Sequence, residues 1–473
     1  MAKQDLNDLL ALLDNSVSIE HGNVAVKDPA RLRATIHRLA EVSALESGAR
    51  QGLARFLVRQ IAEKAGAVPA SINDLYMARG KGKVPNTFTV PAMNLRALAF
   101  DAARAVFRAA IPIDAAAFIF EIARSEMGYT DQRPAEYVTS ILAAAVAEGY
   151  KGPVFIQGDH YQVSAKRFAS DKETELQAVR DLIVESLAAG FFNIDIDTST
   201  LVDLDKKSVP EQQVLNTNLS AMFTAFIRTH EPAGVTVSVG GEIGEVGGHN
   251  SNEEELCAYT DGYYAELNKL AKGAVGISKL SIQTGTSHGG VVLPDGSIAK
   301  VSVDFDTLLK LSRIARQEYG MGGAVQHGAS TLPEDAFGKF VEAEAVEVHL
   351  ATNFQNMLFD RLPADLRSEI YAYLDVKSAA ERKADMTDEQ FYYKTRKSAV
   401  GPFKKQTWNM PLAKKDEIGR AWEEQFKKLF KSLRQAGTRK YVEQTIKPVL
   451  VKPDLQFYLG AAADAGDVSD LAD

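Results

Sequence analysis

The sequence predicts an α/β protein, a (β/α)8 TIM barrel with helical extensions at both ends. Three observations carry that expectation. Eight short strand-like runs alternate with helical patterns over about 270 residues, the count and size of such a barrel. His160, His288 and His327 each stand where a strand-like run gives way to small or polar residues, and strand C-terminal ends are where this fold gathers its chemistry. Before the first run and after the last, the pattern is helical only.

Taken in order, residues 1–84 read as a helical extension. Leu6, Leu9, Leu10 and Leu13 share one helix face, as do Leu53, Phe56, Leu57 and Ile61. The basic stretch Arg79-Gly80-Lys81-Gly82-Lys83 reads as an exposed loop. Residues 85–360 form the predicted barrel, with strands at Thr87–Met93, Ala116–Ile122, Val154–Gln157, Phe192–Ile196, Val235–Val239, Lys279–Thr284, Gly323–Gln326 and Ala345–Leu350. The clearest helix carries Leu176, Val179, Ile183 and Leu187 on one stripe and stops before Gly190. Another, near Phe305–Tyr319, carries Leu308, Leu311 and Ile314. Residues 361–473 read as a charged helical extension ending in an acidic tail from about Gly460. A doubly wound open sheet is the competitor, but it places ligands at one switch point instead of drawing them from many strand ends.

Composition narrows the function. Hydrophobic residues make up 45% and charged residues 25% of the 473, which suits a soluble protein with a large core. The net charge of −8 argues against a nucleic-acid surface, so any positive field for an anionic substrate must be local. One cysteine, Cys257, excludes an internal disulfide and a cysteine-rich metal site, and fits a reducing compartment. The N-terminus lacks a signal-peptide pattern, and the apolar stretch Ala115 to Ile122 is far too short to span a bilayer. The expectation is a cytoplasmic protein with no membrane partner.

Three imidazoles converging on one barrel mouth would make a three-ligand metal site with an open position, which catalytic zinc requires. Glycine-rich turns and helix N-termini hold phosphate through backbone N–H groups. Gly289-Gly290, Gly328-Ala329-Ser330 and Thr352-Asn353 supply three such turns.

The segments Val90-Pro91-Ala92-Met93-Asn94, Gly158-Asp159-His160, Ile196-Asp197-Thr198-Ser199, Gly241-Glu242-Ile243-Gly244-Glu245-Val246-Gly247-Gly248, Gly285-Thr286-Ser287-His288-Gly289, His327-Gly328-Ala329-Ser330 and Ala351-Thr352-Asn353 follow one another in order. Together they resemble the class II, metal-dependent ketose-bisphosphate aldolases, especially the fructose- and tagatose-bisphosphate branch. The resemblance spans about Pro85 to Phe359 and leaves both extensions outside it.

The resemblance implies a lyase that reversibly cleaves a phosphorylated ketose to dihydroxyacetone phosphate and an aldehyde. It implies a metal, Zn2+ or another divalent ion, on His160, His288 and His327, with Glu242 as an alternative ligand. A monovalent cation is also compatible with it. Asp159 would move the proton of the C4 hydroxyl. The turns at Gly289, Gly290, Gly328, Ala329, Ser330, Thr352 and Asn353 would hold the phosphate of the dihydroxyacetone half. Asn94 would bind the substrate, and His349 would lie near its carbons beside the carbonyl. Ser125, with Arg396, Lys397, Lys404 or Lys405, would reach the other phosphate.

Two departures stand out. His249-Asn250 replace the family's mobile-loop glutamate, so His249 or Glu245 becomes the candidate base for the dihydroxyacetone carbon, with Glu253, Glu254 and Glu255 behind them. His349 stands where the family has asparagine. A homo-oligomer, dimer or tetramer, is expected. Two other readings remain open here. Glu126-Met127-Gly128-Tyr129-Thr130 and Pro134-Ala135-Glu136-Tyr137 also resemble the non-catalytic companion subunit of tagatose-bisphosphate aldolases, and a metal-dependent barrel epimerase would use similar chemistry.

Overall fold

The computed structural model describes residues 2–20, 23–244, 249–285, 302–330 and 332–460. His288, Gly289, Gly290 and Glu245, and the tail from Ala461, lie outside the described residues.

Strands β1 (Val17–Glu20) and β2 (Asn23–Val26) form an antiparallel pair. Strand β3 (Ala67–Ala70) precedes eight parallel strands: β4 (Val90–Asn94), β5 (Ile119–Ala123), β6 (Gly152–Gln162), β7 (Asn193–Asp197), β8 (Ser238–Glu242), β9 (Lys279–Ile282), β10 (Ala324–Gln326) and β11 (Glu347–Leu350). Their order is β6-β5-β4-β11-β10-β9-β8-β7, and pairing of β6 with β7 closes the ring. The eight predicted strands are all present, and the barrel is the fold the alternation predicts.

The first 84 residues hold β1 to β3 as well as helices. These four-residue strands are too short for their alternation to stand out from the surrounding helical pattern. Strand β3 pairs in parallel with the start of β6, Ala67 opposite Gly152 through Ala70 opposite Phe155. The Asn193 side chain, at the start of β7, joins the three strands. It accepts from the Ile72 N–H at 2.8 Å and donates to Ala70 O at 3.2 Å and Ile156 O at 2.9 Å. Ile72, Leu75 and Tyr76 then join a buried apolar cluster with Val90, Phe155, Val325 and Val346.

Both end segments pack on the barrel. Glu136, on the helix Pro134–Glu148, lies 3.4 Å from Arg55 and 2.9 Å from Lys404. The helix Leu412–Ser432 inserts Trp422, whose indole N–H donates to Phe354 O at 3.0 Å.

The last described helix, Leu455–Gly460, returns to the helix Gly48–Ala65. At Gly52 a Cβ would lie 2.2 Å from the carbonyl oxygen of Tyr458. Backbone cannot yield as a flexible side chain can. Gly52→Ala is expected to push this helix off and lower stability by about 1–3 kcal/mol, even though alanine is the better helix former by ~1 kcal/mol. A urea midpoint equal to or above that of the parent would show that the contact contributes nothing.

Candidate active site

The site begins with an irregularity in β6. The sequence predicts that this strand stops at Gln157, where the apolar run gives way to small and polar residues, yet it continues to Gln162. Between Gly158 and Tyr161 the register slips against β7: Gly158 faces Ile194 and Tyr161 faces Ile196. Three steps on one strand therefore oppose two on the other, which is a β-bulge. His160 sits in the bulge with φ +39°, an uncommon conformation for a residue with a side chain. Tyr161 folds back over Gly158, where a Cβ would lie 2.2 Å from the ring.

The bulge solves a geometric problem. Consecutive strand residues ordinarily point to opposite faces. Here Asp159 Oδ1 and His160 Nε2 approach to 3.8 Å, so the two side chains meet.

His327 follows the end of β10 and closes the group. Its Nε2 lies 3.7 Å from Asp159 Oδ1, its Nδ1 lies 3.5 Å from Glu242 Oε2, and its ring centroid lies 4.3 Å from that of His160. Donor atoms of His160, Glu242 and His327 lie within 4.8 Å of one another, and all three residues are buried. His160 Nδ1 lies 3.0 Å from Asp197 Oδ2. This carboxylate–imidazole pairing fixes a ring so that its other nitrogen faces a metal. Two imidazoles and a carboxylate, with a carboxylate behind one imidazole, suit a divalent ion such as zinc.

Burial alone would lower the His160 pKa, but Asp159 and the bonded Asp197 outweigh it and hold it well above the ordinary value. Burial pushes Glu242 up to about 8, against the pull of His160.

Beneath the mouth lies a polar layer that the sequence reading did not single out. Lys279 Nζ donates to Gln157 at 2.7 Å, Asp195 at 2.8 Å and Glu347 at 2.5 Å. Gln157 Nε2 donates to Glu121 and Glu347, both at 3.0 Å, and the Tyr76 hydroxyl donates to Glu347. His349 rises from this layer, with Nε2 2.7 Å from Glu347 Oε1 and Nδ1 3.0 Å from Glu121 Oε2, and its ring centroid lies 4.0 Å from that of His327. The signal was present as period-two polarity, Asp195 with Asp197 and Glu347 with His349, on strands otherwise rich in Ile, Val and Leu.

The remaining predicted residues lie around the rim. Asn94, at the end of β4, donates to Glu126 at 2.5 Å, and Glu126 also takes Arg96 Nε at 2.5 Å. Ser125 is buried in the first turn of the short helix Arg124–Tyr129. Gly328 adopts φ +69°, Ala329 is buried, and Ser330 Oγ accepts from the Ala351 N–H at 2.6 Å. That bond sets the Gly328–Ser330 turn beside Thr352 and Asn353, the first residues of the helix Thr352–Phe359.

Among the basic candidates, Lys404 lies against Glu136, and the Arg396 guanidinium lies over Tyr393 and Phe359, 4.6 and 5.1 Å from the ring centroids. Burial, then the like charge of Arg96, lowers the Lys397 amine to about 8. His249 is largely exposed, with Nε2 2.5 Å from Glu255 Oε1. Among the described residues, no helix is long and apolar enough to cross a membrane.

The sequence profile described as class-II fructose-bisphosphate aldolase matches residues 84–411. No curated protein sequence is similar enough to match. Among the solved structures that resemble it are the following three. A putative fructose-1,6-bisphosphate aldolase from Coccidioides immitis is 16% identical, with 79% of this chain and 99% of that one covered and a TM-score of 0.45. A fructose-bisphosphate aldolase from Campylobacter jejuni is 15% identical, with 79% and 96% covered and a TM-score of 0.47. A probable tagatose 6-phosphate kinase from Sinorhizobium meliloti is 17% identical, with 79% and 97% covered and a TM-score of 0.50. At 17% identity the likeness to the last of these speaks to the fold alone.

Proposed function

Because the chain belongs to the class-II fructose-bisphosphate aldolase family, we propose that it is a metal-dependent aldolase. In this reading it reversibly cleaves a ketose of the fructose- or tagatose-1,6-bisphosphate type to dihydroxyacetone phosphate and an aldehyde. The observation that carries it is the buried convergence of His160, His327 and Glu242 beside Asp159. His160 and His327, with His288, are the residues proposed to hold a divalent ion, zinc first, and Glu242 is the alternative ligand. Such an ion supplies Lewis-acid polarisation of a carbonyl oxygen.

The chain's own groups do the rest. Asp159 holds and moves the proton at the C4 hydroxyl oxygen, and its Oδ1 lies 3.3 to 3.8 Å from three imidazoles. Gly328, Ala329, Ser330, Thr352 and Asn353, with Gly289 and Gly290, bind the phosphate of the dihydroxyacetone half through backbone N–H groups. A monovalent cation at these turns would be compatible with that anion. Ser125 and Lys397 are the candidates for the second phosphate. Asn94 binds the substrate and His349 lies beside its carbon skeleton. Glu245 and His249 are the candidate bases for the dihydroxyacetone carbon.

The test is direct. Protein reconstituted with zinc is incubated with dihydroxyacetone phosphate and glyceraldehyde 3-phosphate, and products are identified by NMR. A ketose bisphosphate is expected, lost on chelation and restored by zinc or cobalt. Condensation undiminished in excess chelator would exclude a metal-dependent reaction. No condensation by the zinc-loaded protein would overturn the reading for this substrate pair.

A further inference from the structure

The barrel interior is rich in buried carboxylates, Glu121, Asp195 and Glu347 among them. The positive field that an anionic substrate needs must therefore come from the rim. Arg96 is placed there, and no motif in the sequence draws attention to it.

Arg96 follows the end of β4 by two residues. Its Nε donates to Glu126 Oε1 at 2.5 Å, and Gln132 Nε2 donates to its carbonyl oxygen at 2.6 Å. The other oxygen of Glu126 accepts from Asn94 at 2.5 Å and from the Ala123 N–H at 2.8 Å. Nε is the only guanidinium nitrogen of Arg96 with a hydrogen bond to a described residue, so both Nη groups keep their donors. Close by, the Tyr129 hydroxyl is buried without a hydrogen-bond partner. Burial pushes this phenol up, and the Arg96 charge works against that rise. Lys397, from the C-terminal extension, holds its Nζ 5.7 Å from the Tyr129 ring centroid. The neighbourhood is thus rich in donors, and both oxygens of Glu126 are already in use. A buried donor without an acceptor calls for an explanation, and a guanidinium fork matches the oxygens of a phosphate.

The position suits one half of the substrate. Ala123 pairs with Asp159 across β5 and β6, and adjacent strands lie about 4.8 Å apart. The Glu126–Arg96 pair therefore stands one strand from the group proposed to carry the C4 hydroxyl proton. Carbons beyond C4 leave with the aldehyde. We infer that Arg96 determines specificity for the aldehyde half: its Nη groups and the Tyr129 hydroxyl bind a phosphate on the carbons beyond C4, with Lys397 of the same chain beside it. The inference rests on the proposed function for the reaction, whereas the anion seat stands on the donors themselves. It also gives the C-terminal extension a part in the site.

Zinc-loaded protein is given dihydroxyacetone phosphate with either glyceraldehyde 3-phosphate or unphosphorylated glyceraldehyde, and kcat/KM is measured for each aldehyde. Arg96→Met should lower the preference for the phosphorylated aldehyde about 10- to 100-fold, the range for losing hydrogen bonds to a charged group, chiefly through KM. Tyr129→Phe removes a hydroxyl that bonds nothing in the protein. It should leave the urea midpoint unchanged and lower the same preference about 3- to 10-fold. A merely structural role would move both aldehydes together. Binding needs no catalysis: calorimetric titration of the metal-free protein with glyceraldehyde 3-phosphate should show a site that Arg96→Met weakens by the same factor. If neither aldehyde condenses and this Arg96-dependent binding persists, the aldolase reading fails and the seat stands. If condensation proceeds and both variants keep the parent's preference, or the parent has none, the inference is overturned. Equal titrations of parent and Arg96→Met would also overturn it.

Discussion

Replacing Asp159 by asparagine is expected to lower aldol cleavage by about 10²–10⁴, the range for losing one positioned general acid/base. The amide keeps the shape of the carboxyl and cannot take a proton from the C4 hydroxyl. The reason to expect a large loss is the position of Asp159 Oδ1, 3.3 to 3.8 Å from His349, His160 and His327. No other described carboxylate approaches all three rings. The control is a second reaction on the same surface. Exchange of the dihydroxyacetone phosphate carbon proton with solvent does not involve the C4 hydroxyl, so the variant should retain it. If cleavage and exchange fall together, Asp159 is holding the site in shape. Counting metal in the same variant separates loss of the proton carrier from loss of an ion.

That prediction depends on a feature whose residues were legible although their geometry was not. Gly158, Asp159 and His160 stand out in the sequence as a motif, but alternation alone would send Asp159 and His160 to opposite faces. A one-residue bulge turns both to the mouth, and one-residue insertions leave no periodic trace. The barrel was legible because eight runs repeat one physical requirement, an apolar strand covered by a helix. His160, His327, Glu242 and Asp159 were legible through the family motifs they sit in. The layer of Lys279, Asp195, Glu347 and Gln157 was not, because its members come from strands 38 to 190 residues apart. They become one network only when the sheet closes. Periodicity shows which side of a strand is polar, but it does not show which strands meet.

The same network sets the largest stability effect. Lys279→Met should cost about 3–5 kcal/mol at neutral pH, the cost of leaving a buried ion pair without one partner. Lys279 holds two carboxylates, and methionine keeps its length while removing the charge. Burial pushes Asp195 up to about 6 even against the pull of Lys279. Burial also works to raise Glu347, but Lys279 and His349 outweigh it and hold that carboxyl down to about 2. Without the ammonium both folded-state values must rise, while unfolded carboxylates titrate near about 4. An acid whose folded pKa exceeds its unfolded value binds more protons in the folded state, so stability falls as pH rises. The unfolded state is common to parent and variant, so the deficit of Lys279→Met should open where the parent's own carboxyls ionise, from about pH 2 at Glu347 and about pH 6 at Asp195, and reach full size above the variant's raised values. Urea unfolding of the metal-free parent and variant between pH 4 and 8 measures this difference directly. A deficit below about 1 kcal/mol at pH 8 would show that Asp195 and Glu347 find other partners. A large deficit independent of pH would assign the loss to packing around the lysine stem, because a missing methylene contact does not titrate and a stranded carboxylate does.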